Sequence, residues 1–391
     1  MAYPTAIGCG CLLGAGGAVH LHAAEWSAQP ILTMTTDYDS NRNFSQGTQG
    51  SEEAVLYGDL KLQAALENTQ LSLEPRVDLR RYSDSVWGPG NDSSLNAALT
   101  WTEERSKLTL TGLIADQTTL TSELLETGII DGNAKRRSEQ ANGEYDFTEN
   151  ERRQSFVQLG FMSAAYSGLP LVELELPGYR YVSAALGERF FLSERLTVST
   201  SAFGDTLTSK LQGNSSHEEG LQAEVTDQYT EKTSFDLSVG ESKRSLAGER
   251  GYGTNASATV SHTLSLGTAS LIYTRSLVPY GNGALVERQQ ITAALLRSLT
   301  PYLDATFTVL RVQNNASTVR LGLDRPYYNM AQAGLSWKMG ESWILQPQLS
   351  AGQAKPFPTL QSSPSLDDRT VFEWRAQLSL VWQPLPASKS R

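Results

Sequence analysis

The sequence has very few of the side chains that carry out catalysis or bind metals. Its two cysteines, Cys9 and Cys11, precede residue 25, and a chain beginning at Glu25 contains only the histidines His217 and His262. Without cysteine there is no disulfide scaffold and no thiolate metal site. Scarce histidine disfavours transition-metal binding and Ser–His hydrolysis. We therefore predict no catalytic residue, no metal ligand and no cofactor, and the chain is not expected to be an enzyme.

Long apolar runs are also missing, with one exception near the N-terminus. Residues 6–19 form an apolar run, and Ala23 and Ala24 follow it shortly before Glu25. The run is shorter than the ~20 residues that a membrane-spanning helix needs, but its length suits a signal peptide. We predict a signal peptide at 1–24, one domain at 25–384 and a short polar tail at 385–391.

The sequence also lacks an excess of basic residues. The formal net charge is −10, whereas a surface that binds phosphate groups needs clustered cations. Nucleic acid is therefore not an expected partner.

What the sequence does contain is a two-residue alternation of apolar and polar side chains. Along residues 71–80 the odd positions hold apolar side chains and the even positions hold polar or charged ones. A period of two indicates a β-strand with different surroundings on its two sides. The pattern returns in many later segments, among them 234–239, 303–309 and 374–382. A soluble protein would need one continuous core beneath all these strands, whereas a transmembrane barrel turns the apolar faces to lipid.

Connections of two lengths separate the predicted strands. Tight turns are expected at 67–68, 103–104, 149–150, 193–194, 230–231, 265–267, 300–301 and 340–341. Longer polar loops are expected near 40–54, 83–92, 120–135, 167–176, 207–218, 246–252, 279–284, 314–324 and 354–367. Strict alternation of short and long connections is typical of outer-membrane barrels, whose periplasmic turns are short.

The predicted fold is therefore all-β, a transmembrane antiparallel up-and-down β-barrel of 18 strands, with 16 as the alternative. The segments 136–147 and 177–191 alternate poorly and are counted as strands mainly because closure needs an even number. The barrel would lie in the outer membrane of a Gram-negative bacterium, with both termini in the periplasm.

Aromatic residues and prolines add detail to the predicted strands. Pro75 and Pro347 fall inside strands, where each removes a ladder donor, so we expect local bulges there. Several aromatic residues fall near strand ends, where the lipid–water boundary favours Trp and Tyr, although aromatic residues favour strands in any case. They are Tyr57, Tyr82, Trp101, Tyr145, Tyr229, Tyr302, Tyr328, Trp337, Trp343 and Trp382.

The polar faces of a barrel line its lumen. Charged residues predicted to take this side are Glu74, Arg76, Asp78, Arg80, Arg152, Arg288, Asp304 and Arg375. Facing rows of arginine and carboxylate can set a transverse field that selects among solutes. Alternatively, they pair into a lattice that only solvates the wall, and the sequence favours neither interpretation. A barrel of this size is wide enough for an aqueous channel.

Several short motifs resemble those of a known family. They are 35–43 (Thr-Thr-Asp-Tyr-Asp-Ser-Asn-Arg-Asn), 81–84 (Arg-Tyr-Ser-Asp), the segment from 116–119 (Asp-Gln-Thr-Thr) through 126–128 (Glu-Thr-Gly), 135–137 (Lys-Arg-Arg), 285–288 (Leu-Val-Glu-Arg), 297–301 (Arg-Ser-Leu-Thr-Pro) and 324–328 (Asp-Arg-Pro-Tyr-Tyr). In this order they resemble the type-2 β-barrel porin family, whose members are often associated with exopolysaccharide loci and PEP-CTERM protein-sorting systems. The resemblance implies an outer-membrane barrel that serves polysaccharide export, and it brings no catalytic residue.

Three functions are compatible with these observations. The first is a passive pore for polar solutes or an exported polysaccharide, as part of an exopolysaccharide secretion system. The second is a non-conducting barrel that anchors a cell-envelope assembly, and the third is an outer-membrane hydrolase with His262 as its base. The expected partners are outer-membrane lipid and lipopolysaccharide and, for the first function, polysaccharide and periplasmic secretion components. The sequence does not indicate an oligomeric state.

Overall fold

The computed structural model describes residues 25–42, 50–83, 90–122, 134–168, 178–209, 215–246, 249–279, 285–315, 327–355, 370–385 and 387–389. The predicted signal peptide, with Cys9 and Cys11, lies outside these ranges, as do parts of the long loops. Among the described residues no helix is long and apolar enough to cross a membrane.

Most of the described chain forms β-strands. The strands are β1 (Glu25–Asp39), β2 (Ser51–Leu66), β3 (Thr69–Tyr82), β4 (Gly90–Thr102), β5 (Ser106–Thr118), β6 (Lys135–Asn150), β7 (Arg153–Ser167), β8 (Tyr179–Phe191), β9 (Leu196–Ser209), β10 (Ser215–Thr230), β11 (Thr233–Leu246), β12 (Glu249–Leu264), β13 (Gly267–Pro279), β14 (Leu285–Thr300), β15 (Leu303–Asn315), β16 (Tyr327–Lys338), β17 (Trp343–Lys355), β18 (Val371–Trp382) and β19 (Ala387–Lys389). One helical turn, α1 (Thr119–Ser122), follows β5. The two segments that alternate poorly in sequence are strands, β6 and β8.

The strands form one closed antiparallel sheet. Each strand from β1 to β17 pairs with the next strand along the chain, and β18 pairs with β1 from Leu32↔Trp382 to Asp39↔Arg375. The result is a closed 18-stranded up-and-down barrel, which confirms the predicted fold class and strand number. The three-residue β19, in the predicted polar tail, adds to the sheet by pairing with the start of β1.

Connections at one end of the barrel are all short, between two and four residues, as predicted. At the other end most are longer, but β11 and β12 are separated only by residues 247–248. The loop predicted at 246–252 is therefore wrong, because Glu249 already pairs with Leu246 at the start of β12. The sequence does not indicate this strand, because Gly251, Gly253 and the charged residues of the segment break the apolar alternation.

Contacts between strands that are not neighbours identify the inner face of the sheet. Arg189 of β8 donates to Asp146 of β6 at 2.5 Å, and Arg375 of β18 lies 3.5 Å from Glu53 of β2. Each contact passes over an intervening strand, which only the concave side of a closed sheet allows. The opposite face carries large exposed apolar side chains, such as Leu186, as expected of a surface that contacts lipid.

The aromatic residues follow the predicted boundary only in part. Residues exposed close to the short turns are Tyr145, Tyr229, Tyr302, Trp337 and Trp343. Tyr57 and Tyr82 instead lie on the inner face, where the guanidinium groups of Arg76 and Arg42 stand 4.6 Å and 5.1 Å from the ring centres. The boundary prediction is wrong for these two tyrosines, because arginines on the inner wall supply a cation partner for each ring.

Pro75 and Pro347 interrupt the ladder without changing its register. The pairing of β2 with β3 has the same offset on both sides of Pro75, and the pairing of β16 with β17 has the same offset on both sides of Pro347. The expected bulges therefore do not form at these two positions. A proline removes one hydrogen-bond donor, but it does not require an extra residue in the strand.

Candidate functional site

One wall of the lumen carries a dense network of ion pairs, centred on Glu53 of β2, which is 1% exposed. Its carboxylate accepts hydrogen bonds from Arg42 at 2.5 Å and from Arg80 at 2.9 Å. Arg375 of β18 approaches the same carboxylate to 3.5 Å. Three guanidinium groups from separate segments of the chain therefore meet one buried carboxylate.

Asp37 of β1 completes this charge network, which consists of Asp37, Arg42, Glu53, Arg80 and Arg375. Asp37 accepts hydrogen bonds from Arg42 at 2.8 Å and from Arg375 at 2.7 Å. Arg42 lies in the connection just after β1. Burial lowers its pKa, but the carboxylates of Glu53 and Asp37 outweigh burial and raise the pKa above the ordinary value, so the side chain stays charged.

β3 contributes four of the residues predicted to line the lumen. Asp78 accepts hydrogen bonds from Arg76 at 2.7 Å and from Arg80 at 3.3 Å, and Arg80 also lies 3.4 Å from Asp92 of β4. Glu74 is half-buried two residues before Arg76. The side chain of Arg76 is 42% exposed and that of Arg80 only 10%. Arg76 is therefore the more accessible of the two cations on this strand.

Three other predicted residues lie elsewhere on the strands. Arg375 belongs to the charge network. Asp304 of β15 accepts a hydrogen bond from Ser298 at 2.6 Å and lies 3.5 Å from Lys338, close to the short turns. Arg288 of β14 donates to Asn314 at 3.0 Å.

Arg152 does not lie on a strand. β6 extends to Asn150, and Arg152 is exposed in the two-residue turn before β7. The prediction that Arg152 lines the lumen is therefore wrong. The strand runs through the predicted turn at 149–150 and moves the turn two residues along the chain.

Sequence reasoning missed a second group of charges, around Arg189 of β8. Arg189 donates to Glu144 at 2.6 Å and to Asp146 at 2.5 Å, across β7. Its guanidinium group lies 4.4 Å from the ring centre of Phe156. The weak alternation of β6 and β8 concealed which side these residues take. Arg189 and Tyr179 are separated by an even number of positions in β8, so strict alternation along the strand would have placed both side chains on one face. Tyr179 is buried.

Arg244 of β11 was also missed, and it links strands that are far apart in the sheet. It donates to Glu218 at 3.0 Å, to Asn255 at 2.8 Å and to Glu287 of β14 at 3.2 Å. Its guanidinium group covers Gly253, where an added Cβ would lie 1.9 Å from the Cζ of Arg244. Only glycine leaves room for this arrangement.

A cavity of about 610 Å³ lies on the inner face between these two groups. Hydroxyls, carboxamides and the rings of Tyr181 and Phe203 line part of it. Its lining also contains carboxylates and one arginine, which are Glu144, Asp205, Glu218, Glu224 and Arg189. The volume is within the range of small-molecule sites, about 300–1,000 Å³. Glu144 is compensated by Arg189 and Glu218 by Arg244. Asp205 and Glu224 add further carboxyl groups to the lining, so the cavity favours cationic or neutral solutes over anions.

The wall is split beside this cavity, between β12 and β13. Their common register ends at Ala256↔Arg275. Both strands continue beyond it, β13 to Pro279 and β12 to Glu249, and no pair joins them in these described segments. β13 stays paired with β14 as far as Pro279↔Leu285. β14 in turn stays paired with β15 as far as Glu287↔Asn315. The end of the β13–β14 hairpin therefore separates from β12 while it stays attached to β15.

This hairpin end, residues 276–279 and 285–288, leans into the lumen. The unbroken register of β14 places Glu287 on the same face as Ile291, which is 44% exposed. Glu287 nevertheless contacts Arg244, whose other partners lie on the inner face of the wall. A residue of the outer face can reach the inner face of β11 only if the hairpin end has moved inward past β12.

Apolar contacts also hold the hairpin end inside the barrel. Leu277 and Leu285 are 6% and 2% exposed. They share one buried cluster with residues of β7, β8, β9 and β11, which are Ala164, Tyr179, Leu207 and Leu246. Burial of a leucine side chain contributes about 1.5–3 kcal/mol. The hairpin end thus narrows the lumen above the cavity, whose lining includes Leu277.

The inner face offers hydrogen bonding and charge. Among the described residues, no group of three or more His, Cys, Asp or Glu side chains is placed to hold a metal ion. His262 lies on the exposed side near a short turn, with its Nδ1 2.9 Å from the Thr233 hydroxyl. The carboxylates, guanidinium groups and carboxamides of the lumen suit contact with hydrated polar solutes.

Comparison with known proteins gives structural resemblance only. No family model and no curated protein matches the chain. Resembling structures include OpdQ of Pseudomonas aeruginosa (TM-score 0.49, 11% identity, 92% of this chain and 99% of that one) and OccK11 (OpdR) of the same organism (0.49, 13%, 93% and 96%). OccAB4 of Acinetobacter baumannii also resembles it (0.47, 9%, 94% and 99%). Such TM-scores are too low to carry an inference, so the barrel architecture rests on the strand pairing itself.

Proposed function

We propose that this protein is an outer-membrane barrel that forms a passive pore for polar solutes. The observation that carries the proposal is a closed wall of 18 strands with charged and amide side chains inside and exposed apolar side chains outside. A barrel of this strand number is wide enough for a hydrated channel. Transport would be diffusion, with selectivity set by the width and the charge of the lumen.

The distribution of charge favours cations and neutral solutes. In the charge network the guanidinium groups are compensated by Glu53 and Asp37 and, at Arg80, also by Asp78 and Asp92, so they add little to the field in the lumen. Arg76 is a more accessible cation on that wall, with its side chain 42% exposed. The cavity on the other side has more carboxylates than arginines. The interpretation as a lattice of paired charges that only solvates the wall therefore suits Arg80 and Arg375. The interpretation as a field that selects among solutes suits Arg76.

In this proposal the short turns and both termini face the periplasm of a Gram-negative bacterium. The outer face contacts lipid and, at the end with the longer loops, lipopolysaccharide. This orientation follows the usual arrangement of bacterial barrels, in which the longer loops are extracellular.

A narrower form of the proposal is export of a polysaccharide as part of an exopolysaccharide secretion system. The family resemblance of the sequence motifs supports it, and so does the amide-rich lining around Asn142, Gln158 and Gln222. Carboxamides both donate and accept hydrogen bonds, as the hydroxyl groups of a saccharide require. A polymer would have to pass the hairpin end, which occupies part of the lumen.

The hairpin end also favours a second candidate function, a non-conducting barrel that anchors a cell-envelope assembly. The buried cluster around Leu207 and Leu285 places apolar side chains inside the lumen, where an open aqueous channel would have water. This candidate and the pore make opposite predictions for conductance.

Planar-bilayer recording distinguishes the two. A pore gives stepwise conductance after insertion, with a reversal potential that indicates cation preference in a salt gradient. Arg76→Ser should increase that preference, because it removes a partly exposed cation from the wall. Arg137→Ser is the matched control, since this exposed arginine pairs with Glu139 at 3.2 Å away from the charge network. Absence of conductance after verified insertion would exclude the pore and favour the anchor.

A further inference from the structure

The hairpin end keeps the sequence pattern of a strand in the wall. Extending the β12–β13 register beyond Ala256↔Arg275 would place Ser276 opposite Asn255 and Leu277 opposite Thr254. Ser276 would then face the lumen and Leu277 would face lipid, which is the alternation of the other strands. The same residues therefore fit two positions, one inside the lumen and one in the wall.

Each position has its own stabilising contacts. Inside the lumen, Leu277 and Leu285 are buried, and Glu287 accepts a hydrogen bond from Arg244 of β11 at 3.2 Å. In the wall, the hairpin end would gain backbone hydrogen bonds to β12. Because both sets of contacts are substantial, a small change at one of them can shift the balance.

The free edge of β12 is suited to receive the hairpin end. Residues 249–255 pair with β11 on one side only in the described structure, and an unpaired strand edge is a template for another strand. Tyr252 in this segment is 79% exposed. Nothing in the pairing of β11 with β12 would need to change for β13 to join them.

We propose that the hairpin end is a gate that moves between the lumen, where Glu287 holds it, and the wall, where it completes the β12–β13 ladder. Glu287 is the polar contact that joins the gate to Arg244 across the split, while Gly253 leaves the space through which Arg244 reaches it. Movement into the wall would take Leu277 out of the cavity lining and widen the lumen. The movement stands independently of transport, whereas its effect on conductance rests on the proposed pore.

Disulfide formation tests the movement directly. Asn255→Cys with Ser276→Cys creates a pair that would be directly opposite in the wall position, at a Cβ separation of about 4.5–5.5 Å; a disulfide forms near the short end of that range. The native Cys9 and Cys11, the only other cysteines, are replaced with serine. Ser257→Cys with Thr274→Cys is the positive control, because these residues are already paired.

We expect the Asn255–Ser276 pair to cross-link under mild oxidation, more slowly than the control pair. Adding Glu287→Gln should raise its rate by about tenfold, the equivalent of about 1.4 kcal/mol. Glu219→Gln is the matched substitution, since Glu219 forms an exposed ion pair with Lys243 one strand away from the split, and it should leave the rate unchanged. If the control pair reacts and the Asn255–Ser276 pair does not, the gate is excluded. A cross-linking rate that does not change with Glu287→Gln also excludes it.

The cross-linked protein also reports on transport. In planar bilayers the Asn255–Ser276 disulfide should fix a larger single-channel conductance, and a reducing agent should reverse it. If the barrel conducts but its single-channel conductance is the same with and without the disulfide, the gating role is contradicted. A barrel that cross-links but never conducts contradicts the proposed pore while leaving the movement established.

Discussion

Replacing Glu53 with glutamine removes one charge from the centre of the charge network and changes the side-chain volume very little. Arg42 and Arg80 would lose the carboxylate that they now reach at 2.5 Å and 2.9 Å. Arg375 would lose the same partner at 3.5 Å. Three largely buried cations would then share fewer carboxylates, chiefly Asp37 on this side of the wall.

The expected loss of stability follows from burial. Removing one partner of a buried ion pair costs about 3–5 kcal/mol, because the remaining charge has no compensation. Glu53 is 1% exposed and the side chain of Arg42 is 9% exposed, so solvent screens the network weakly. Asp37 still balances part of the charge. We therefore expect Glu53→Gln to lower the free energy of unfolding by about 3 kcal/mol, the lower end of that range.

Urea unfolding from lipid vesicles, followed by tryptophan fluorescence, measures this loss. Glu219→Gln provides the matched control, because its ion pair with Lys243 is exposed and spans 3.4 Å. An exposed pair contributes about 0–1 kcal/mol. If Glu53→Gln is no more harmful than Glu219→Gln, water must screen the network, and the reasoning from burial is refuted.

Three further predictions concern the wall. Gly220→Ala would place a Cβ 2.4 Å from the Glu241 carbonyl oxygen and 2.8 Å from the Phe203 ring, so the same urea assay should show a loss of about 1–3 kcal/mol. Gly58→Ala meets nothing within 4 Å, and an equal effect of both substitutions would contradict the crowding at Gly220. Before boiling, the detergent-solubilised protein should migrate differently on gels than after it, since heat opens the closed sheet; identical mobility would contradict closure. His262→Ala should leave insertion and conductance unchanged, whereas the loss of a lipid- or peptide-hydrolysing activity would support the hydrolase alternative.

The barrel could be predicted because its signals are local and repeated. The alternation along 71–80 is visible without any knowledge of neighbouring strands, and the short turns recur at regular intervals. β6 and β8 lack clear alternation, but an even strand number required them. The same local pattern predicts the polar side of β3, where Arg80 pairs with Glu53, Asp78 and Asp92.

The charge network could not be predicted in full, because it depends on which strands pair and on where they begin. Arg42 and Glu53 fall within the predicted loop 40–54, whereas β2 begins at Ser51. The sequence pattern therefore assigned neither residue to the lumen wall, although both lie at the centre of the charge network.

The hairpin end was beyond prediction for a different reason. Residues 267–279 read as an ordinary wall strand, and Leu277 has the position of a lipid-facing residue. Only contacts with Leu207 and Leu246, distant in sequence, bury it inside the barrel. A pattern of period two assigns a residue to one face of a sheet, but it contains no information about a sheet that splits.

The pairing of β1 with the last strands has a consequence for assembly. β1 is joined to β2 on one side and to β18 and β19 on the other, so its second edge has no partner until the final part of the chain has been synthesised. Until then the backbone groups of that edge are open to other chains, and exposed edges promote aggregation. The entropy cost of bringing such distant segments together grows only slowly with their separation. The open edge of β1 must therefore be kept from other chains until the barrel closes, and a chain that ends before β18 keeps an unprotected edge permanently.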